Sequence, residues 1–375
     1  MAMVFNITLL ILGLCSSYYL FSHLPDLKPF CTSKGRKPLT GGVSGTLSVI
    51  IPARNEEKTL PLLLGDLQNQ SFQPLEVICV NDGSEDRTRE VILEYGARLI
   101  DVDNKPDDWM GKAWACQKGS EAASGTVFLF LDADVRLSPD SLEKLMSAYA
   151  DSNCTISVQP YHQTGTLTEE LSLFFNVVQI GGNGVGKLTR KFSVGLFGPV
   201  ILISQSDYEA IGGHRSAKST IADDLALGAA LHRAGKAYRL YLGRRDIKFR
   251  MYPGGFRDLF QGWTKNFATG ASKTPLLLMI PAFLWVTSCT GAPIYFFTAL
   301  FTGDHTGAVV YGFFYLVWMM ELRGIISKVG NFSRWTPLFY PVHLLVFLVV
   351  FFFSLWKKLF RGNVDWKGRK IRPEG

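Results

Sequence analysis

Apolar positions along the chain follow two rhythms. From Leu47 to Leu131 they form short runs bounded by polar turns: residues 47–51 stop at Pro52, 75–80 stop at Asn81-Asp82-Gly83-Ser84, 97–102 form a shorter run, and 127–131 lead into Asp132-Ala133-Asp134. Runs of this length, rich in Val, Ile and Leu, predict strands. Between them, residues 59–67 and 91–95 carry apolar side chains at helical spacing, and Trp109 to Ala115 opens a further helix. Strands and helices alternating in this order predict a mainly parallel, twisted α/β sheet with its ligand beyond the carboxyl ends of the strands. The acids that follow these strands then share one edge of the sheet.

Elsewhere the apolar runs are long. Residues 1–21 have the length and apolarity of a membrane span, lack a basic start and a clear cleavage site, and so predict an uncleaved anchor over a signal peptide. Lys28, Lys34, Arg36 and Lys37 follow, which places the next domain in the cytosol. Residues 275–301, 307–322 and 337–356 are three more apolar runs, the last being the clearest span. Three spans after a cytosolic domain would leave Lys357, Lys358, Arg361, Lys367, Arg369 and Lys370 outside, against the tendency of cations to stay inside. The run 307–322 is short, and Gly291-Ala292-Pro293 could break the run before it. One segment is therefore expected to be re-entrant or interfacial, leaving the tail in the cytosol; the sequence does not say which. The organisation expected is an anchor at 1–22, a basic linker at 23–45, a catalytic domain at 46–250, an interfacial amphipathic segment at 251–274, transmembrane or re-entrant helices at 275–360 and a basic cytosolic tail at 361–375. That organisation implies a multi-pass protein of the cell membrane, with its catalytic domain expected to face the cytoplasm.

Candidate chemistry sits at the strand ends. Asp132 and Asp134 are two residues apart, so a bend at the strand end could bring both carboxylates onto one divalent cation; a solvated turn is the plain alternative. Asp82, in a turn, belongs at the lip of the sheet. Glu56 and Glu57 read either as ligand contacts or as first-turn acids that complement a helix dipole. In the segment 254–269, Phe256, Leu259, Phe260, Trp263 and Phe267 fall on one side at helical spacing, which predicts either an amphipathic helix in the headgroup layer or a packed helix of the catalytic domain.

Three motifs in order, Ile51-Pro52-Ala53-Arg54-Asn55-Glu56-Glu57, Asn81-Asp82-Gly83-Ser84 and Asp132-Ala133-Asp134, resemble those of inverting family 2 glycosyltransferases with the Rossmann-like GT-A fold, over residues 47–270. That resemblance implies a UDP-sugar donor, with Asp82 on the uracil, Pro52, Arg54 and Glu56 lining the base and ribose pocket, Asp132 toward the ribose or sugar, and Asp134 on a Mg2+ or Mn2+ ion. Lys112 is placed with the donor-binding residues. Asp223-Asp224 resembles the family's acidic motif, which makes Asp224 the expected general base beside Asp223, and Gly212-Gly213-His214 resembles its glycine turn beside the acceptor, so Gly213 and His214 are acceptor candidates, joined by Trp263 if the aromatics of the amphipathic segment form the entry for a long apolar acceptor. A cap of acids at a helix start, and an ordinary surface histidine, are the plain readings. Polymerising members usually carry Gln-x-x-Arg-Trp after the acidic motif; here the segment reads Gln261-Gly262-Trp263-Thr264-Lys265, which argues against a processive synthase and leaves Lys265 or Arg257 to steady a departing diphosphate. Across nearly the whole chain, Ser157-Val158-Gln159-Pro160-Tyr161-His162, Phe197-Gly198-Pro199-Val200 and Phe249-Arg250-Met251-Tyr252-Pro253 are similar to staphylococcal-type carotenoid glycosyltransferases. That implies glucose transfer to the carboxylate of a C30 carotenoid acid. Transfer to a hopanoid, diacylglycerol or polyprenyl phosphate is the rival enzyme reading, and a non-catalytic membrane scaffold the rival of another class.

Composition adds little that contradicts this. Nearly half the residues (47%) are apolar, which suits membrane segments beside one large domain. The net charge of +7 collects in clusters next to the apolar runs, matching membrane lipid rather than nucleic acid. Six cysteines without Cys-x-x-Cys spacing read as separate thiols, supporting neither zinc nor disulfides.

Overall fold

The computed structural model describes residues 1–27, 45–102, 104–220, 222–360, 364–366 and 369–371, with the side chains of 265–272 and of everything after 357 excluded. The linker cations Lys28, Lys34, Arg36 and Lys37 and the side chain of Lys265 therefore lie outside the described residues. The chain forms two compact units: an apolar unit of Met1–Pro25, His162–Val194 and Met251–Arg372, and a sheet unit made mainly of Asp26–Tyr161 and Gly195–Arg250. Residues 162–194, inside the stretch 46–250, thus group with the apolar helices.

After helix α1 (Ala2–Phe21) the sheet unit alternates strand and helix: β1 (Leu47–Ala53), α2 (Leu60–Gln68), β2 (Glu76–Asn81), α3 (Thr88–Glu94), β3 (Arg98–Asp101), α4 (Gly111–Ala122), β4 (Val127–Leu131), β5 (Val135–Leu137), α5 (Ser141–Ser152), β6 (Thr155–Gln159) and β7 (Tyr161–His162). Helices α6 (Leu167–Glu170) and α7 (Leu173–Gly182) belong to the apolar unit; the sheet unit resumes with β8 (Val200–Ser204), α8 (Gln205–Ala210), α9 (Asp223–Arg233), β9 (Tyr238–Leu242) and β10 (Ile247–Phe249). The main sheet has the order β3-β2-β1-β4-β8-β6-β9. Pairings β3/β2, β2/β1, β1/β4 and β6/β9 are parallel, while β8 is antiparallel to both of its neighbours. One strand therefore runs against the other six, and the carboxyl ends of β1, β2 and β4 lie side by side.

Burial on both faces explains why β1 and β4 read as unbroken apolar runs. On one face Val49, Ile51, Leu129 and Leu131 pack with Leu60, Leu63 and Leu64 of α2 and Leu142, Leu145 and Met146 of α5. On the other, α4 lies close to the strands because Gly119 has no side chain; a Cβ there would fall 2.4 Å from a methyl of Ile50. That close approach matters for function, since α4 begins at the sheet edge with Gly111 and Lys112.

In the apolar unit, α10 (Phe256–Lys273), α11 (Leu276–Thr302), α12 (His305–Val329) and α13 (Tyr340–Phe360) follow one another. Helices α1, α11 and α12 and the stretch Tyr340–Lys357 are long and apolar enough to cross a membrane. Two expectations change here. The helix starting at His305 is 25 residues long, not a short run, and α11 continues through Pro281 and Pro293 without a break at Gly291-Ala292-Pro293. Packed neighbours compensate for a proline's missing donor in such helices. Small residues bring α1 and α11 together: a Cβ on Gly13 would lie 2.0 Å from that of Ser288, and Ser288 donates to the Leu10 carbonyl (3.2 Å) while accepting from Trp318 Nε1 (3.1 Å).

Candidate active site

Two loops close the front of the sheet. Asn55 stands in the left-handed region (φ 55°), which turns the chain after β1 toward the loop after β2. Its N–H donates to Ser84 Oγ (3.0 Å) and its Oδ1 accepts from the Glu85 N–H (2.8 Å). The Glu56 N–H donates to Thr88 Oγ1 (2.7 Å), the Glu57 N–H donates to Asp86 Oδ2 (3.1 Å), and Glu57 Oε2 accepts from the Arg87 N–H (3.2 Å). Glu56 also accepts from Thr59 Oγ1 (2.5 Å). Both glutamates thus help to organise the two loops.

Behind this zipper, Asp82 is nearly buried and lies 3.6 Å from the Arg54 guanidinium, and its N–H is held by the Ala53 carbonyl (2.9 Å) next to Pro52. Its carboxylate rests against the first residue of α4: a Cβ on Gly111 would sit 2.3 Å from Asp82 Oδ2. An acceptor-only carboxylate fixed at a helix start is suited to receive an N–H from a ligand.

One residue on, Lys112 reaches into the acid cluster. Its Nζ is 2.5 Å from Asp132 Oδ1 and donates to the Gly198 carbonyl (3.4 Å); Lys112 and Asp132 keep 37% and 29% of their side-chain surface exposed, so the pair is open to a ligand. Burial disfavours the lysine's charge, but Asp132 and Asp223 outweigh that and raise its pKa. Asp224 accepts from two backbone N–H groups, Leu225 (2.8 Å, to Oδ1) and Gly198 (3.2 Å, to Oδ2), and Asp223 Oδ1 accepts from the Asp224 N–H (3.1 Å). These bonds require the segment 195–198 to press on α9. A Cβ on Gly228 would lie 2.4 Å from Gly195 Cα, so two glycines meet there backbone to backbone.

The cluster is acid-rich. Burial, then the repulsion of Asp132 and Glu56, pushes Asp134 up to about 7; burial and Asp223 push Asp224 up to about 6, against its backbone hydrogen bonds and Lys112. Asp132 is raised too, chiefly by burial, in spite of Lys112. Carboxylates crowded in this way favour a cation among them. Among the described residues no group of three or more His, Cys, Asp or Glu could hold a metal ion by itself. Paired carboxylates fit a hard divalent ion that takes its remaining oxygens from a diphosphate and water.

The structure brings together Pro52, Arg54, Glu56, Asp82, Lys112, Asp132, Asp134, Asp223 and Asp224. His214 is different: it is 2% exposed, its ring meets Phe130 of β4 edge-on at 4.8 Å, and its Nδ1 lies 2.8 Å from Tyr208 Oη. Burial and the nearby Lys112 charge lower its pKa to about 3, so it is a neutral packing group under the turn at Gly213 (φ 57°) and not a surface histidine. Trp263, in the apolar unit, is also buried: it stacks on Phe175 of α7 (4.7 Å) and donates to Ser172 Oγ (3.3 Å). Asn55, Gly111 and Gly198 were not singled out from sequence. Their signal is steric, and a glycine in a string gives no hint of what it must avoid.

A mainly parallel sheet with acids, a lysine and two backbone-held carboxylates at its carboxyl edge has the arrangement of an α/β enzyme's ligand site. A family profile described as Glycosyl transferase family 2 matches residues 48–200, and one described as Glycosyl transferase family group 2 matches residues 127–356. The 4,4'-diaponeurosporenoate glycosyltransferase of Staphylococcus haemolyticus (strain JCSC1435) is 35% identical over 346 residues, covering 89% of this chain and 91% of that protein. The protein of the same name from Staphylococcus aureus (strain USA300) is 35% identical over 331 residues, covering 86% and 88%. Among solved structures, the mannosyltransferase PcManGT from Pyrobaculum calidifontis, in complex with GDP-Man and Mn2+, aligns with a TM-score of 0.58 at 15% identity, covering 94% of this chain and 98% of that one. The chain belongs to glycosyl transferase family 2 and is a glycosyltransferase with the GT-A fold.

Proposed function

We propose that this enzyme moves a hexose, glucose in the first instance, from a UDP-sugar to the carboxylate of a C30 carotenoid acid, at a membrane and with inversion at the anomeric carbon. The observation that carries the reading is the 35% identity, along most of both chains, to relatives named as 4,4'-diaponeurosporenoate glycosyltransferases. In this reading Asp82 accepts an N–H from the uracil and Arg54 orients it. Asp134, with Asp132, would hold Mg2+ or Mn2+, which when bound neutralises the diphosphate of the donor. Lys112, bridging Asp132 and Gly198, keeps a positive charge at the same place.

The transfer needs one bond made and one broken: an acceptor carboxylate oxygen attacks the anomeric carbon, and the carbon–oxygen bond to the diphosphate breaks with its electron pair leaving on UDP. A carotenoid acid is already ionised near neutral pH, so little proton removal is needed. Asp224, with both oxygens engaged by backbone N–H groups, is then placed to orient the acceptor more than to act as a strong base. The test is incubation of membranes containing the full chain with UDP-glucose and 4,4'-diaponeurosporenoate, followed by mass analysis of the lipids. A glucosyl ester is the expected product. Transfer only from a GDP-sugar would overturn the donor, and transfer only to a hopanoid, diacylglycerol or polyprenyl phosphate would overturn the acceptor.

A further inference from the structure

The apolar unit has two ends, and its contacts assign each helix to them. Phe21, at the close of α1, meets Trp285 of α11 at 5.3 Å, and Gly13 faces Ser288, so the two helices run in opposite directions. Leu20 and Phe21 also lie against Gly181 in α7, and the next residue, Gly182, lies against Thr274, just before α11 begins. The end of α1, the end of α7 and the start of α11 therefore share one face. Helix α12 returns to it, since Ser17 donates to Glu321 (2.8 Å) near the end of α12, while Asn6 donates to Tyr311 (3.2 Å) near its start. The opposite face holds Met1 and the link from Thr302 to His305.

A helix crossing after α12 would start at the shared face and finish beside Thr302. Helix α13 does neither. The Leu338 carbonyl accepts from Tyr315 Oη (2.8 Å) and Tyr340 Oη donates to the Cys289 carbonyl (3.1 Å), so the chain folds back to the middle of α11 and α12 before α13 begins. That is about 20 Å back along α12 from Val329, at 1.5 Å per residue. From there Phe347 packs on Phe175 of α7 (5.1 Å), Phe353 on Phe260 of α10 (5.2 Å), and Ser354 donates to the Thr264 carbonyl of α10 (2.8 Å). Phe174 of α7 meets both Trp285, the residue that touches Phe21, at 5.7 Å and Phe347 at 6.3 Å, so the middle of α13 is already close to the shared face, and its second half continues from there along α10.

We propose that α13 does not cross the bilayer. It is immersed in one leaflet, so the chain crosses three times, and Lys357 and the basic tail lie on the face where α1 ends. Its two sides fit that placement: Tyr340, Leu344, Phe347, Val350 and Ser354 are buried against the protein, whereas Val342, Leu345, Val349 and Phe352 expose 55–61% of their surface as one apolar stripe for acyl chains. Charge fits it too. No Lys or Arg occurs in residues 1–25 or 274–322, while Lys187, whose N–H donates to the Ser22 carbonyl just after α1, Lys273 just before Thr274, and Arg323 and Lys328 in the last turns of α12 belong to segments at or near the shared face.

The test compares the sidedness of two points in the full-length protein. Thr306→Cys, in a background with Cys15 and Cys31 replaced by Ser, is probed in intact cells with a membrane-impermeant thiol reagent, and alkaline phosphatase or a fluorescent protein is fused after Gly375. Labelling of residue 306 from outside, with an inactive phosphatase and a fluorescent tail, is expected. Opposite sidedness in the reverse orientation would support the three crossings equally. Labelling at 306 together with an active phosphatase would put both points on one side, make α13 a fourth crossing and overturn the proposal.

Discussion

Replacing Gly111 with alanine separates donor binding from stability. The added methyl would lie 2.3 Å from Asp82 Oδ2 and 3.4 Å from its Cγ. An ordinary contact of that kind is about 3.3 Å, so the carboxylate must retreat by roughly 1 Å, which the end of a side chain can do by rotating about its own bonds. Gly111 is the first residue of α4 and has no positive φ, so alanine suits the backbone and should leave the helix unharmed or favour it by up to about 1 kcal/mol. Moving Asp82 by that distance would break its bond to the donor base. A hydrogen bond to a charged group contributes roughly 1.5–3 kcal/mol. The expected loss of donor affinity is therefore about 10- to 150-fold at 1.4 kcal/mol per decade. Isothermal titration with UDP and Mn2+, alongside thermal unfolding of the detergent-solubilised protein, reads both quantities. Weakened UDP binding with unchanged or raised Tm is expected, and Asp82→Asn should reproduce the binding loss. Unchanged UDP affinity in Gly111→Ala would refute Asp82 as a donor contact held at that distance.

Asp134 and Asp224 are pushed up to about 7 and about 6, so the unliganded folded protein takes up protons more readily than the unfolded chain; its stability should fall as pH rises from about 4 through 7, while transfer, which needs the ionised forms, should rise over the upper part of that range. Unfolding and initial rates measured between pH 5 and 8 check this, and parallel trends would count against it. Asp224→Asn should cost less than about tenfold in kcat with a carotenoid acid, against the hundredfold or more usual for loss of a general base, and a steep loss would point to a hydroxyl acceptor. Trp263→Ala removes a stacked, buried indole and should destabilise the apolar unit by about 3–5 kcal/mol, seen as a lower Tm. If the variant stays folded, a KM increase confined to the lipid acceptor would show that Trp263 lines the acceptor's path after all.

How much of the site could be read in the string depended on how each residue acts. Asp82, Asp132 and Asp134 could be placed at the sheet edge from sequence because each follows an apolar run and the order of strands puts such ends together, whereas Asp224, at a helix start, was reached only through its resemblance to the family's acidic motif. Their partners were harder to see. Asn55 works through an unusual backbone angle, and Gly111, Gly195, Gly198 and Gly228 work by leaving space for atoms far away in sequence. His214 has the opposite lesson: a polar residue after two glycines suggests a surface turn, but the glycines fold the turn inward and Tyr208 supplies the partner that permits burial.

The apolar helices divide along the same line. Length and apolarity identify a segment that belongs in hydrocarbon, and on those measures α13 equals α1. Neither measure contains direction. What distinguishes them is which surfaces they meet: α1 has Gly13, Ser16 and Ser17 on the side that accepts α11 and α12 along its length, whereas α13 uses Phe347, Phe353 and Ser354 to pack across α7 and α10. The one hint available beforehand was the parity of the basic tail, which counted crossings without identifying the odd one out. Charge distribution constrains the sum, and only packing assigns its terms. For that reason the sidedness of residue 306 relative to the tail decides more about this protein's topology than any hydropathy profile of it.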